Sequence, residues 1–177
     1  MKEVEVKARV DDLKDVKTKL VRQGCSFSDS KIQNDRVFKH KSQDITNKTK
    51  GTVLLRIRTT KDSKILTLKK MQENELDNIE KELEIDNPKT MAEIIELLDY
   101  EEYVQINKTR REAKLNDMTI CLDDVSGLGT FIELEKITEE DSLKVQEELI
   151  DFLEEIGIPK DNLVTKGYDS LMYAKNR

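Results

Sequence analysis

The sequence is poor in the residue types on which several classes of protein depend. It has no tryptophan and only 5% aromatic residues, which argues against a protein that reads nucleic-acid bases mainly by stacking. It has one histidine, His40, so a zinc site built from several histidines is excluded. The two cysteines, Cys25 and Cys121, lie far apart and predict buried free thiols rather than a disulfide framework or a metal site.

Long apolar segments are also missing. No uninterrupted apolar run approaches the ~20 residues that a membrane-spanning helix needs. The N-terminal segment, Met1 to Glu5, lacks the apolar core of a signal peptide. We therefore expect a cytoplasmic protein with no membrane partner.

Charged residues, by contrast, are abundant. They make up 38% of the 177 residues, against ~25% in an average soluble protein. The net charge of −6 gives the chain no bulk attraction to nucleic acid, which leaves only a local basic cavity as a site for anions. A chain of this length predicts a single domain over residues 1–177.

Alternation of charged and apolar residues predicts most of the secondary structure. Residues 3–10 place Glu3, Glu5, Lys7 and Arg9 on one face of a strand and small apolar residues on the other. Further strands are predicted at residues 25–33, 35–39, 53–60, 64–70, 80–85, 103–115, 118–125 and 130–136.

Three helices are predicted between these strands. The first is capped by Asp11 or Asp12, the second is capped by Asn87, and the third runs from about Glu139 to Ile156. Each carries an apolar stripe at helical spacing, so each is expected to cover an apolar face of the sheet.

The charged faces of the strands have two interpretations. Taken singly, each face is explained by a sheet that packs one side on a core and exposes the other to water. As a set, the faces favour an α+β fold in which the strands close into an antiparallel barrel with a charged lumen and helices outside. The lumen would hold the acids Glu3, Glu5, Glu82, Glu84, Asp123, Glu133 and Glu135, and the bases Lys7, Arg9, Arg56, Arg58, Lys69, Lys108 and Arg110.

Enclosed charges of both signs indicate a class of ligand. Arginine and lysine bind phosphate groups, and clustered carboxylates supply the oxygen ligands that Mg²⁺ and Mn²⁺ prefer. A nucleoside triphosphate or an inorganic triphosphate, bound with Mg²⁺ or Mn²⁺, satisfies both demands.

Several ordered segments of the chain resemble one protein superfamily. They are Glu3-Val4-Glu5-Val6-Lys7, Leu55-Arg56-Ile57-Arg58, Leu66-Thr67-Leu68-Lys69, Glu82-Leu83-Glu84, Lys108-Thr109-Arg110-Arg111 and the segment from Leu122 to Glu135. The first resembles the ExExK signature of the CYTH superfamily, the triphosphate tunnel metalloenzymes, which include class IV adenylate cyclases, thiamine triphosphatases and inorganic triphosphatases. The other segments follow it in the same order as in that superfamily, so the resemblance extends over nearly the whole chain. It is strongest towards candidate class IV adenylate cyclases, which share the Gly-Leu-Gly turn found at residues 127–129.

The resemblance implies an eight-stranded antiparallel barrel that encloses a triphosphate tunnel, and it implies roles for the charged residues. The phosphate chain would be bound by Lys7, Arg56, Arg58, Lys69, Lys108 and Arg110. One or two metal ions would be held by Glu3, Glu5, Asp123, Glu133 and Glu135. Glu133 and Lys7 would be catalytic, and Arg9, Glu82 and Glu84 would be additional site residues. Lys70 and Arg111 have the wrong strand parity and are expected outside the site, and the family suggests a homodimer.

Three features depart from the pattern of this branch. Lys69-Lys70-Met71 replaces the usual Lys-Gly-Pro, which predicts a different turn after this strand. An arginine that often precedes the Glu-x-Glu pair is replaced by Glu80 or Lys81, which predicts weaker phosphate binding there. Only two residues precede the first motif, fewer than in demonstrated cyclases. This difference argues against cyclase activity but not against the tunnel architecture.

The charged residues serve two reactions equally well. In a cyclase the ribose 3′-hydroxyl of ATP attacks the α-phosphorus, and in a triphosphatase water attacks a terminal phosphorus. Without a dedicated histidine, a carboxylate such as Glu133 or a hydroxide held by the metal would act as the base. We expect a class IV adenylate cyclase-like enzyme, with tripolyphosphatase or thiamine triphosphatase as the alternative. If the protein is not an enzyme, the alternative is a non-catalytic module that binds polyphosphate or nucleotide.

Overall fold

A computed structural model describes all residues of the chain, 1–177. It contains eight strands and four α-helices, as the predicted α+β class requires. The strands are β1 (Lys2–Arg9), β2 (Lys31–His40), β3 (Val53–Thr59), β4 (Lys64–Met71), β5 (Asp77–Glu84), β6 (Tyr100–Leu115), β7 (Met118–Val125) and β8 (Gly129–Thr138). The helices are α1 (Leu13–Arg22), α2 (Pro88–Leu97), α3 (Ser142–Glu155) and α4 (Tyr168–Lys175). None of these helices combines the length and the apolar composition needed to cross a lipid bilayer.

The chain divides into two compact units, which we describe separately. The first unit comprises Met1–Lys31 and Thr109–Thr165, and the second comprises Ile32–Lys108 and Lys166–Arg177. Strand β6 contributes residues to both units. The expectation of a single domain over residues 1–177 stays a prediction.

The first unit is built on antiparallel pairing of β8 with β1 on one side and β7 on the other. The apolar residues that alternate with the charged ones along these strands are buried with the apolar stripes of α1 and α3. Asp12 caps α1 as predicted, because its carboxylate accepts hydrogen bonds from the main-chain N–H groups of Lys14 and Asp15. Packing of both helices on the apolar face leaves the charged face of β1 and β8 for the site.

Alternate main-chain carbonyls of β1 are bound by the C-terminal part of the first unit. Gln146 Nε2 of α3 donates to the carbonyl of Glu5, and Val164 N donates to the carbonyl of Lys7, over 3.0 and 2.8 Å. Asn162 Nδ2 donates to the carbonyl of Arg9 over 3.0 Å. Because carbonyls two residues apart point to the same edge of a strand, these contacts cover one edge of β1.

The second unit is built on an antiparallel succession of β2, β3, β4 and β5. Phe38 and Ile57 of this sheet are buried against Ala92 and Ile95 of α2. Helix α2 begins as predicted, with Pro88 at its first position after the N-cap Asn87. The side chains on the other face of β3 and β4 carry the charges predicted to bind phosphate.

Strands β2 and β6 differ most from the sequence prediction, and β5 starts at Asp77 rather than at residue 80. Residues 25–30 form no strand, and β2 is one continuous strand that starts at Lys31. Strand β6 starts at Tyr100 rather than at residue 103, because Asp99 adopts a left-handed conformation (φ 63°) just after α2, and the chain reverses there. The carbonyl of Asp99 then accepts a hydrogen bond from Lys41 N over 2.9 Å.

Helix α4 was not among the three predicted helices. It has eight residues, and its N-cap, Gly167, supplies no capping side chain. Helices this short are unstable in isolation, so α4 depends on tertiary contacts that composition does not reveal.

Candidate active site

Three carboxylates meet on the paired strands β1 and β8, and we call them the acidic cluster. Glu3 and Glu5 alternate along β1, and Glu135 lies opposite Glu5 in the antiparallel register. Their carboxylate oxygens lie within 4.8 Å of one another, and all three residues are half-buried. Grouped carboxylate oxygens are the ligands that Mg²⁺ and Mn²⁺ prefer. The residues present therefore fit the divalent ion that the sequence predicts.

Lys7 lies beside the acidic cluster and is only 1% exposed. Its Nζ is 3.3 Å from Glu5 Oε1 and 3.1 Å from Glu133 Oε1. Burial by itself lowers the pKa of Lys7, but Glu133 and then Glu5 outweigh it and raise that pKa above its ordinary value. Lys7 is therefore a fixed cation at neutral pH and not a proton acceptor.

Arg110 is a second buried cation of the first unit. Its Nε and Nη2 donate to the two oxygens of Asp123 over 2.7 and 2.6 Å, and its Nη1 donates to Glu135 over 3.3 Å. Arg110 Nη2 also donates to Glu133. Burial opposes the charge, but the neighbouring carboxylates, Asp123 above all, raise the pKa of Arg110. Both oxygens of Asp123 are thus engaged by a cation of the protein itself.

These side chains form what we call the first charged set, in which negative charge is in excess. It comprises the carboxylates of Glu3, Glu5, Asp123, Glu133 and Glu135 and the cations Lys7 and Arg110. A divalent cation is the kind of ligand that balances such a set.

The second unit holds another group of predicted site residues, beginning with an ion pair between β2 and β3. Arg58 Nε and Nη2 donate to the two oxygens of Asp35 over 2.8 and 2.7 Å. Burial raises the pKa of Asp35, but the Arg58 guanidinium outweighs this and holds that pKa below its ordinary value. Arg58 is therefore fixed by a carboxylate that the prediction did not include in the site.

Arg56 projects from the same face of β3 and keeps one donor group without a partner. Its Nη2 donates to Thr67 Oγ1 over 3.1 Å and to Glu82 Oε1 over 3.3 Å. Its Nε is buried and has no hydrogen-bond partner. A buried guanidinium N–H without an acceptor is costly, so a site that supplies one, such as a phosphate oxygen, would relieve it.

The remaining bases of the second unit are Lys69 and Lys108. Lys69 Nζ is 2.5 Å from Glu80 Oε1, in keeping with the antiparallel register that places the two residues opposite each other. Lys108 is 5% exposed, and its Nζ lies 4.8 Å from the ring centroid of Tyr168. We call these residues the second charged set; it comprises the cations Arg56, Arg58, Lys69 and Lys108 and the carboxylates Asp35, Glu80 and Glu82.

Comparison with known proteins places the chain in a family. The CYTH domain model matches residues 1–168. The chain belongs to the CYTH domain family. This confirms the resemblance that the ordered motifs of the sequence predict.

The chain is similar to other proteins both in sequence and in structure. A candidate adenylate cyclase of Methanocaldococcus jannaschii is 34% identical over 174 residues, which cover 95% of this chain and 97% of the relative. A solved protein of Pyrococcus horikoshii is 28% identical, with a TM-score of 0.81 and coverage of 98% of this chain and 99% of that one. A candidate adenylyl cyclase of Hippeastrum, described as having a dominant triphosphatase activity, shares the fold at 19% identity and a TM-score of 0.66, with 99% and 96% of the two chains covered.

Some residues singled out by the CYTH pattern lie apart from both charged sets. Arg9 is exposed, donates to the carbonyl of Leu128 over 2.8 Å and stacks 4.7 Å from the ring centroid of Phe131. Glu84 is exposed at the end of β5. The roles assigned to the charged residues, these two included, stay predictions.

The structure also describes Lys70 and Arg111, which stay predicted to lie outside the site, and the two cysteines. Lys70 is exposed, and Arg111 donates to the carbonyl of Ser28 over 3.3 Å. Cys25 and Cys121 are buried free thiols, as predicted. Burial raises the pKa of the Cys121 thiol, so its contact of 3.6 Å with Glu135 is made by a neutral group.

The second unit also contains a buried polar network that sequence reasoning missed. Lys48 Nζ contacts Asp169 at the start of α4 and lies 3.3 Å from Glu75 Oε2. Tyr103 of β6 donates to Asp169, and Ser170 of α4 donates to Glu75 over 2.6 Å. Burial raises the pKa of Asp169, but Lys48 and Tyr103 outweigh it and lower that pKa. The network connects α4 with the loop that carries Lys48, and Tyr168 of the same helix contacts Lys108. No local sequence pattern predicts this network.

Proposed function

We propose that this protein is a metal-dependent enzyme that acts on triphosphates and converts ATP to cyclic AMP and pyrophosphate, as a class IV adenylate cyclase does. Proteins of the CYTH family act on triphosphates. The observation that carries the proposal is the acidic cluster of Glu3, Glu5 and Glu135, which lies beside the buried cation Lys7. Such a cluster suits a divalent ion, and the bases nearby suit phosphate groups.

In this proposal the acidic cluster is the principal metal site, because its three carboxylates bring oxygens within 4.8 Å of one another, whereas both oxygens of Asp123 and both oxygens of Glu133 are held by Arg110 and Lys7. Mg²⁺ or Mn²⁺ bound there would neutralise phosphate charge and acidify the attacking oxygen. The phosphate chain would be bound by Lys7, Arg56, Arg58, Lys69, Lys108 and Arg110. That both charged sets line one tunnel of a closed barrel follows from family resemblance and is part of the proposal.

The reaction requires the ribose 3′-hydroxyl oxygen to form a bond to the α-phosphorus while the bond to pyrophosphate breaks. The hydroxyl proton must move to a base, and Glu133 is the carboxylate predicted for this role. Its ion pairs with Lys7 and Arg110 hold it in place. Lys7, which stays protonated, stabilises the negative charge that develops on the phosphate oxygens.

Hydrolysis of a terminal phosphate is the second candidate function. The same cations and carboxylates serve an attacking water, and the Hippeastrum protein shows that this fold accommodates a dominant triphosphatase activity. Tripolyphosphate and thiamine triphosphate are the substrates to test. A binding module would hold these anions without turnover.

Product analysis separates these activities. The protein is incubated with Mg²⁺ or Mn²⁺ and, separately, with ATP, tripolyphosphate and thiamine triphosphate. Cyclic AMP with pyrophosphate supports the cyclase, orthophosphate supports the triphosphatase, and binding without any product contradicts both enzymes. The variant Glu5→Gln, which removes one carboxylate of the acidic cluster, is expected to lose most of this activity. Its matched control is Glu154→Gln, which removes a carboxylate 3.0 Å from Lys160 in an exposed ion pair.

The cytoplasmic location, the single domain and the homodimer remain predictions. They concern the setting of the enzyme and do not enter the chemistry proposed here.

A further inference from the structure

Glu80 introduces negative charge among the bases of the second charged set. It lies on β5 opposite Lys69 of β4, and its Oε1 is 2.5 Å from Lys69 Nζ. Its other oxygen is 3.9 Å from Arg56 Nη2. The Glu80 side chain is 12% exposed, and that of Arg56 is 13% exposed. A carboxylate thus lies close to two of the cations predicted to bind phosphate, where water screens it poorly.

The other two carboxylates of the set are in different situations. Asp35 is 4% exposed, and both of its oxygens are held by Arg58. Glu82 is 50% exposed, so solvent screens its charge. Glu80 is the carboxylate that combines burial with contact to two bases.

A phosphate chain that binds Lys69 and Arg56 must compete with Glu80 for them. Once bound, the chain remains close to the carboxylate and is repelled by it. Both costs grow with the negative charge of the ligand, so Glu80 penalises the most highly charged chain most strongly. Repulsion of one ligand is as effective a source of specificity as attraction of another.

We infer that Glu80 is a specificity-determining residue, which makes the site favour triphosphates that carry an organic group over free inorganic tripolyphosphate. This inference rests on the proposed function, because it concerns the same phosphate-binding residues. Esterification of a terminal phosphate removes one ionisable oxygen, so a nucleoside triphosphate carries less charge than tripolyphosphate of the same length. The substrate class selected is therefore a substituted triphosphate.

The test compares the binding of two ligands by the full chain. Dissociation constants for ATP and for tripolyphosphate are measured by titration calorimetry for the wild type and for Glu80→Gln. The buffer contains a chelator and no added metal. The substitution keeps the size of the side chain and removes its charge. We expect Glu80→Gln to bind tripolyphosphate about tenfold more tightly and to shift the ratio of the two constants by about threefold or more towards tripolyphosphate.

Glu101→Gln is the matched control. It removes the charge of a carboxylate 2.7 Å from Lys39, but this ion pair is not among the predicted site residues. Its ratio of dissociation constants is expected to equal that of the wild type. Glu80→Thr, checked by circular dichroism, provides a second variant in which the charge is absent.

Several outcomes overturn the inference. An unchanged ratio in both Glu80 variants, or weaker binding of both ligands, would mean that Glu80 only holds Lys69 in place. Absence of binding by the wild type and by Glu80→Gln under these conditions would overturn the inference, while the proposed function is decided separately by product analysis in the presence of Mg²⁺ or Mn²⁺. A shifted ratio in a protein that turns over no triphosphate would support the role of Glu80 and contradict only the proposed enzyme.

Discussion

Arg110 provides the sharpest test of how the first unit holds its charges. The substitution Arg110→Met removes a guanidinium that is 5% exposed and donates over 2.7 and 2.6 Å to the two oxygens of Asp123, which is itself 0% exposed. Asp123 is then left as a buried carboxylate without its principal cation. Removing one member of a buried ion pair typically costs about 3–5 kcal/mol, and we expect a loss of that size in the free energy of unfolding.

The measurement is urea unfolding at neutral pH, followed by circular dichroism. The double variant Arg110→Met with Asp123→Asn is expected to recover more than half of the loss, because the orphaned charge is removed as well. Lys160→Met is the control, since its ion pair with Glu154 is exposed, and its unfolding curve should match that of the wild type. An Arg110→Met protein within about 1 kcal/mol of the wild type, or a double variant no more stable than the single one, would refute the argument.

Three other predictions follow from the structure. Arg58 holds the pKa of Asp35 below its ordinary value, so the stability that this pair provides is present above a pH of about 4. This stability is lost as the pH falls towards the lower pKa of the folded state. The free energy of unfolding should therefore fall more steeply with decreasing pH in the wild type than in Asp35→Asn. Glu5→Gln should lower turnover by ~100-fold and weaken Mn²⁺ binding measured by calorimetry, and full activity would remove Glu5 from the site. Lys48→Met should cost about 3 kcal/mol in chemical denaturation, since Asp169 loses its buried cation, and an unchanged midpoint would show that the network contributes nothing.

Much of the scaffold was accessible from local sequence patterns. The alternation along β1 and β8 correctly indicated which residues share a face, because the side-chain period of a strand does not depend on its partners. The caps Asp12 and Asn87 were recognisable, because their hydrogen bonds are made to the next few residues.

Features that depend on distant contacts were not accessible in this way. Glu80 was recognised only as a departure from a family pattern, and its contact with Lys69 depends on the register between β4 and β5. Helix α4 is stabilised by Lys48 and Glu75, which lie far from it in the sequence. The pairing of Asp35 with Arg58 likewise requires the register of β2 against β3. Such contacts are products of the tertiary structure and leave no signal within a short window of sequence.

The backbone contacts along β1 have a consequence for the integrity of the protein. Three carbonyls of this strand are occupied by Gln146, Asn162 and Val164. Proteolytic nicking near residues 159–165 would detach two of these donors, Asn162 and Val164, from the strand. Cleavage there should therefore lower the free energy of unfolding of the first unit, because the carbonyls of Lys7 and Arg9 lose their hydrogen-bond donors.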